Sequence, residues 1–269
     1  MSKERKVGLI AGRGRLPFDV LAEIGAMGAR SVVIGLQGEC NPEIKGLADC
    51  YRELPAGQLG AIIETLKNEG VGELVFAGKI GKEALFQGGH DQLVQRILAS
   101  LPQKNDDAVL LALVNEFARN GLVVAKQTDY LRRLLAPEGM IAGNVSAEEL
   151  ADVKLGFRMA KAIGGLDIGQ SVVVKKGVIL AVEAIEGTDQ AIIRGGSLGG
   201  PGAVVVKVSK PNQDERFDVP TIGRTTLESM IQVKAGVLGI EAGKTLIAEK
   251  EGLMALAAEN RIKIIALQF

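Results

Sequence analysis

The chain has 269 residues, which suits one large or two ordinary domains, and 47% of them are apolar, as in a globular protein with a proper core. Lys+Arg and Asp+Glu both count 32, and aromatics make up only 3% with no Trp. That balance offers no overall field for nucleic acid or an anionic membrane and few platforms on which bases could stack, so a nucleic-acid reader is not expected. Cys40 and Cys50 stand without companion ligands, which is neither a disulfide framework nor a zinc spacing and suits a reducing compartment. The apolar segment behind MSKERK stops at Arg13. It falls short of the roughly 7–15 residues of a signal h-region and the ~18–20 of a membrane span. A soluble, cytoplasmic protein is expected.

Taken in chain order, KVGLIAG reads as a buried strand and LPFDVLAEIGAMGA as a helix with glycines near its end. SVVIGL is the next strand, GQLGAIIETLKNEG a helix closed by glycine, and GELVFAG a further strand. QLVQRILASL and DDAVLLALVNEFARNG predict two helices, and LVVAKQT predicts a strand. Strands with continuous apolar runs, separated by helices, form a parallel sheet covered on both faces. A Rossmann-like domain is therefore expected over residues 1–128. Periodicity fails over 129–145, where Pro137, Gly139 and Gly143 mark a linker.

The second domain, residues 146–269, opens with the amphipathic helix SAEELADVKLGFRMAKAIG, in which Ser146 and Glu149 form a capping box. QSVVVKKGVILAVEAIEG predicts a hairpin around a Lys-Lys-Gly turn. GAVVVKVSK then reads as a strand, LESMIQVKAG as a helix, KTLIAEK as a strand, EGLMALAAENR as a helix and IKIIALQF as a last strand. The fold class is α/β: an N-terminal Rossmann-like doubly wound parallel sheet plus a mixed α/β C-terminal domain. In chains of this kind the active site commonly lies in the cleft between domains.

The chemistry narrows by elimination. In GLIAGRGRLP, a dinucleotide fingerprint would need Gly or Ala where Pro17 stands, and an acid closing the second strand, whereas Glu39 already falls in a loop. Gly12 and Gly14 instead suit a phosphate or nucleotide brought close to backbone N–H groups at a helix start, or a plain turn. GVLGIEAGKT fails the Walker spacing, because Leu238 stands where its first glycine belongs. The only histidine, His90, is expected at the surface, so a Ser–His–Asp unit and a histidine metal centre are both set aside. Any metal would be a hard cation on carboxylate oxygens, Mg²⁺ or Mn²⁺. LDIGQ, AVEAIEGTD and DVPTIG each place an acid at a strand or turn edge, a capping role being the bland alternative for any one of them. Lys207, Lys210 and Arg194 offer cations for phosphate oxygens. Carboxylates and cations without histidine suit metal-assisted phosphoryl chemistry.

In their order, GLIAGRGRLP, VFAGKI, NDDAVL, LDIGQSVVV, AVEAIEGTD and VPTIG resemble the metal-dependent UDP-2,3-diacylglucosamine pyrophosphatases of lipid A biosynthesis, the type unrelated to calcineurin-like phosphoesterases. The resemblance spans essentially the whole chain. It implies a homodimer that uses water to attack the α-phosphorus of UDP-2,3-diacylglucosamine, releasing UMP and 2,3-diacylglucosamine 1-phosphate with Mg²⁺ or a similar ion. It implies Asp218 as the catalytic carboxylate, holding the metal or orienting and deprotonating the attacking water. It implies substrate contacts at Ala11, Gly12, Gly14, Gly78, Lys79, Gln170, Gly187, Thr188, Asp189, Lys207 and Thr221. Glu186, Asp189 and Asp218 are the expected metal ligands, with Glu183 also qualifying. The diacylated substrate implies peripheral contact with the inner membrane. A nicotinamide-dependent reductase and a non-catalytic UDP-sugar sensor are the alternative readings.

Overall fold

The computed structural model describes residues 4–80, 89–102 and 106–268, with Asp106 described by its backbone alone. The start of NDDAVL therefore lies outside the described residues. The backbone divides into two units, Met1–Leu131 with Glu215–Phe217, and Arg132–Asp214 with Asp218–Phe269.

In the first unit, strands β1 (Lys6–Ala11), β2 (Arg30–Leu36), β3 (Cys50–Leu54), β4 (Glu73–Ala77) and β5 (Val123–Val124) form a parallel sheet in the order β3-β2-β1-β4-β5. Between them run α1 (Leu16–Ala26), α2 (Leu59–Asn68), α3 (Gln92–Ser100) and α4 (Asp106–Arg119), followed by the helical turn α5 (Gln127–Tyr130). Val7, Leu9 and Ala11 on β1 and Val32 to Ile34 on β2 are buried, because helices cover both faces of the sheet. The expected Rossmann-like sheet is present. Strand β3 was not anticipated: CYREL is an edge strand with exposed Arg52 and Glu53, so it lacks the continuous apolar run of its neighbours. LVVAKQT gives only the two-residue β5, since Gln127 already begins α5 and its side chain donates to Phe76 O at 2.9 Å. His90, expected at the surface, is half-buried with its ring against Gly57.

The second unit contains β6 (Gly139–Ala142), α6 (Ala147–Gly165), β7 (Ser171–Lys175), β8 (Val178–Val182), α7 (Thr188–Gly199), β9 (Val204–Lys207), β10 (Thr221–Ile222), α8 (Arg224–Gln232), β11 (Val237–Glu241), β12 (Leu246–Ile247), α9 (Lys250–Glu259) and β13 (Lys263–Leu267). The sheet order is β6-β13-β11-β9-β7-β8, with β9, β11 and β13 parallel and β6, β7 and β8 joining antiparallel; β10 and β12 pair separately. Alternate residues of each strand face opposite layers. Val172, Val174, Val204 and Val206 pack under Val153, Phe157 and Ala160 of α6. Val173, Val205, Leu238 and Ile240 pack under Ile192, Leu227, Met230 and Leu253 of α7, α8 and α9.

Three expectations change here. The stretch 129–145, expected as a linker, carries α5, a 3-10 turn at Arg132–Leu134 and the edge strand β6, and the division between units falls after Leu131. TDQAIIRGGSLG is a helix whose glycines hid it: a Cβ on Gly195 would lie 2.6 Å from Val173 and one on Gly196 2.3 Å from Val233, so close packing demands residues that lower helix propensity. KTLIAEK shrinks to β12, and the false Walker stretch is β11 with the turn behind it.

The capping box of Ser146 and Glu149 forms as expected. One further acid of α6, Asp152, is buried and accepts from Lys176 N and Gly177 N, each at 2.7 Å, so it holds the β7–β8 turn, in which Lys176 and Gly177 have φ of 48° and 76°. Asp152→Ala is expected to cost about 2 kcal/mol through loss of these charge-assisted bonds, seen as a fall in Tm of about 4–8 °C. Asp152→Asn, which keeps one acceptor, should lose roughly half as much. Unchanged melting in both variants would show that the turn holds itself.

Candidate active site

In the first unit the loops behind β1 and β4 meet at the point where the strand order reverses, the position at which open α/β sheets receive ligands. Gly12 N donates to Ala77 O at 2.9 Å, Arg13 N to Lys79 O at 2.7 Å, and Lys79 N to Arg13 O at 3.0 Å. Ala11, Gly12, Gly14, Gly78 and Lys79 are thus brought together. The reason for the glycines differs from the expected one. A Cβ on Gly12 would lie 2.5 Å from Lys79 O and one on Gly78 2.6 Å from Arg13 O, so both make room for neighbouring backbone, not directly for a ligand. Gly14 is the permissive one: its φ is +97° and open space surrounds its Cβ position. The loop is braced by Arg13, which binds Glu39 through Nε at 2.6 Å and Nη2 at 2.7 Å. The acid sought for a ribose therefore carries a guanidinium. Helix α1 begins behind this loop with Pro17 in its first turn and no side-chain N-cap; Phe18 N and Asp19 N turn back to Arg15 O, at 2.9 and 3.4 Å.

Beside Gly78 and Lys79 opens a cavity of 330 Å³. Its walls are mostly apolar, with Ile10, Leu36, Leu59, Phe76 and Phe117 among them beside the polar Lys79 and Gln127, and Phe217 reaches it from the Glu215–Phe217 segment of the same unit.

In the second unit a polar cluster gathers where β7 begins and β8 and β9 end. Glu183, only 8% exposed, accepts from Thr188 Oγ1 at 2.9 Å and Gln170 N at 3.2 Å, and Thr188 Oγ1 lies 3.1 Å from Ser171 Oγ. Ser171 pairs across the sheet with Lys207, whose Nζ donates to Thr221 O at 3.0 Å. Thr221 Oγ1 donates to Val219 O at 3.1 Å, beside Asp218. Asp218 in turn donates its N–H to Asp214 O at 2.9 Å and accepts from the Gln213 side chain through Oδ2. Gly187, with φ +80°, opens α7 without a side-chain cap, and Asp189 sits in the first turn of that helix, not at a strand edge. Gln170 Oε1 is buried and has no hydrogen-bond partner among the described residues, an acceptor left for a ligand donor or a cation.

Glu186 stands apart from this chain of contacts. Its carboxylate pairs with Arg194 and accepts from Ala184 N at 3.1 Å, and the Arg194 hydrogen bond holds its carboxyl below the usual range. The two groups expected as metal ligand and phosphate cation thus engage each other. Lys210, likewise expected to meet phosphate, pairs with Asp167 at 2.8 Å. Among the described residues no three His, Cys, Asp or Glu side chains gather closely enough to cage a metal.

Sequence reasoning missed a buried acid of this unit. Glu241, at the end of β11 and 1% exposed, accepts from Lys161 at 2.6 Å, Lys244 at 2.9 Å and Ser209 N at 2.9 Å. Burial would raise its carboxyl, but these donors outweigh it and hold it below the usual range. The available signal was an acid ending an otherwise apolar strand, VLGIE.

The chain matches the family model of the LpxI N-terminal domain over residues 6–134 and that of the LpxI C-terminal domain over residues 137–265. It is 34% identical over 282 aligned positions to UDP-2,3-diacylglucosamine pyrophosphatase LpxI of Caulobacter vibrioides, with 98% of each chain covered. Among solved structures, the biotin carboxylase domain of a single-chain bacterial carboxylase overlaps 60% of this chain and 35% of its own, at 16% identity and a TM-score of 0.29. Phosphoribosylglycinamide synthetase from Anaerococcus prevotii overlaps 68% and 40%, at 9% identity and a TM-score of 0.29. The chain spans well under half of either structure, and overlap at that level carries no argument. Two family domains matched in order, and a relative aligned along nearly its whole length, show that the chain belongs to the LpxI family.

Proposed function

We propose that the chain hydrolyses the pyrophosphate of UDP-2,3-diacylglucosamine, water attacking the α-phosphorus to give UMP and 2,3-diacylglucosamine 1-phosphate. The observation that carries this reading is the near full-length identity to a pyrophosphatase of that name. The chemistry of the two units agrees with it. In the first unit the glycine loop behind β1, with Gly14 facing open space, stands beside a mostly apolar cavity, which suits a ligand with both phosphates and acyl chains. A nicotinamide reductase gains nothing, since Glu39 is bound to Arg13.

In this reading Asp218 accepts the proton of the attacking water, while Lys207 meets phosphate oxygens. Thr188 and the N–H groups that open α7 face the same charge. Mg²⁺ or Mn²⁺, when bound, supplies charge neutralisation at the phosphates. Such an ion is commonly held by one or two carboxylates together with substrate phosphates. Asp189 and Asp218 are the carboxylates proposed to hold it, with Gln170 Oε1 as a neutral oxygen; Glu186 is bound to Arg194. The reading also includes a homodimer, and peripheral contact with the membrane that carries the diacylated substrate. No helix among the described residues is long and apolar enough to cross a membrane.

Incubation with UDP-2,3-diacylglucosamine and Mg²⁺ should release UMP, and EDTA should stop it until either ion is restored in excess. Binding of the UDP-sugar without UMP release would leave a sensor, and full turnover after exhaustive chelation would remove the cation. Asp218→Ala should lower kcat by about 10²–10⁴-fold with little change in substrate affinity; near-normal hydrolysis by the folded variant would remove Asp218 from the site.

The two glycines of the loop should separate. Gly14→Val, at positive φ in open space, should weaken UDP-sugar binding in a folded protein. Gly12→Val must push the β1 and β4 loops apart, so it should lower Tm as well as affinity. Equal affinity of Gly14→Val and the natural protein would reduce GRGRLP to a turn.

A further inference from the structure

The segment between β9 and β10 holds a hydrogen-bond relay that ends on Asp218. Gln213 Oε1 accepts from Lys210 N at 2.7 Å and from Ser209 Oγ at 3.4 Å. A backbone N–H can only donate, so this contact fixes which end of the carboxamide is oxygen. The opposite end is then the NH₂ group, and it reaches Asp218 Oδ2 as a donor. Gln213 N also donates to Lys210 O at 3.1 Å, closing a tight turn beneath the side chain. The turn is anchored one residue earlier. Ser209 N donates to Glu241 at 2.9 Å, and Ser209 O accepts from Lys161 Nζ at 2.7 Å, so both sides of this residue are tied to the buried Lys161–Glu241 pair. Beyond Gln213, Asp218 N returns to Asp214 O at 2.9 Å. The carboxylate is thereby held at its backbone and at one oxygen by the same short segment.

The geometry points to Gln213 as a positioning residue for Asp218: its amide, locked by Lys210 N–H, donates to Oδ2 and sets the plane of the carboxylate that works on the attacking water. The inference rests on the hydrolysis proposed above, and it adds a residue that neither the sequence motifs nor the family resemblance singled out. A glutamine suits the task better than a cation. It supplies a donor without neutralising the carboxylate, and its second end is free to take the orienting N–H. The reach also matters, since asparagine, one methylene shorter, would have to give up one of the two contacts.

The test compares the full-length protein with Gln213→Ala, Gln213→Asn and Gln213→Glu, measuring kcat and KM for UDP-2,3-diacylglucosamine, calorimetric affinity for UMP, and Tm. If Gln213 positions Asp218, Gln213→Ala and Gln213→Asn should lower kcat by about 10–10²-fold, with KM, UMP affinity and Tm nearly unchanged, since orientation acts on the reacting step and not on binding. Gln213→Glu keeps the shape and the acceptor for Lys210 N but replaces the donor by an acceptor. Its kcat should fall at least as far as that of Gln213→Ala. Wild-type kcat in Gln213→Glu, or a parallel loss of kcat, UMP affinity and Tm in Gln213→Ala, would overturn the assignment. A second readout needs no turnover: the side-chain amide resonances of Gln213 should shift in Asp218→Asn, and resonances that do not move would show that the pair does not exist. Shifted resonances in a protein that releases no UMP would defeat the hydrolysis reading alone.

Discussion

A single buried carboxylate organises the second unit. Glu241 ends a strand whose other residues are apolar, and taking a charge to that depth is tolerable only when donors surround it. Lys161 from α6, Lys244 from the turn behind β11 and Ser209 N–H from the segment behind β9 supply them. Removing one partner of such a buried set typically costs about 3–5 kcal/mol, because the remaining charge is left uncompensated. Three separate pieces of chain are therefore pinned to one point at the carboxyl end of the sheet. Lys207 of the polar cluster lies opposite Ile240, the residue before Glu241, and the segment carrying Gln213 and Asp218 starts from Ser209 there.

The loops of the first unit are held chiefly by backbone contacts. Where β1 and β4 lie side by side, the loops behind them exchange backbone hydrogen bonds across a gap that no Cβ could enter. Gly12 and Gly78 are each other's steric condition, and the Arg13–Glu39 pair braces the loop from the side. Only Gly14 is left facing open space. The same architecture leaves a mostly apolar hollow beside Lys79.

The contrast between the units bears on what each residue type contributes. Cations that looked equivalent in the sequence separate into roles: Arg194 and Lys210 neutralise Glu186 and Asp167, while Lys207 lies within the polar cluster, its Nζ on Thr221 O. The acids separate likewise. Glu183 is a buried acceptor for Thr188 and Gln170 N, Asp152 shapes a turn, and Asp218 is held by an amide.

The sequence by itself determined the alternation of strands and helices, the parallel sheet of the first unit, the capping box at Ser146 and the hairpin at Lys176, because each rests on local periodicity or on a few adjacent residues. It also marked GRGRLP and VFAGKI as the ends of β1 and β4 and LDIGQ as the approach to β7, whereas EGTD opens helix α7 and DVPTIG runs into β10. Tertiary structure decided the rest. Helix α7 is invisible to propensity because its glycines answer to Val173 and Val233, residues distant in sequence. Strand β3 is an edge and carries too few buried side chains to show a pattern. Pairings such as Glu186 with Arg194, Lys161 with Glu241 and Gln213 with Asp218 depend on where the folded backbone brings two side chains, and no local pattern encodes that distance.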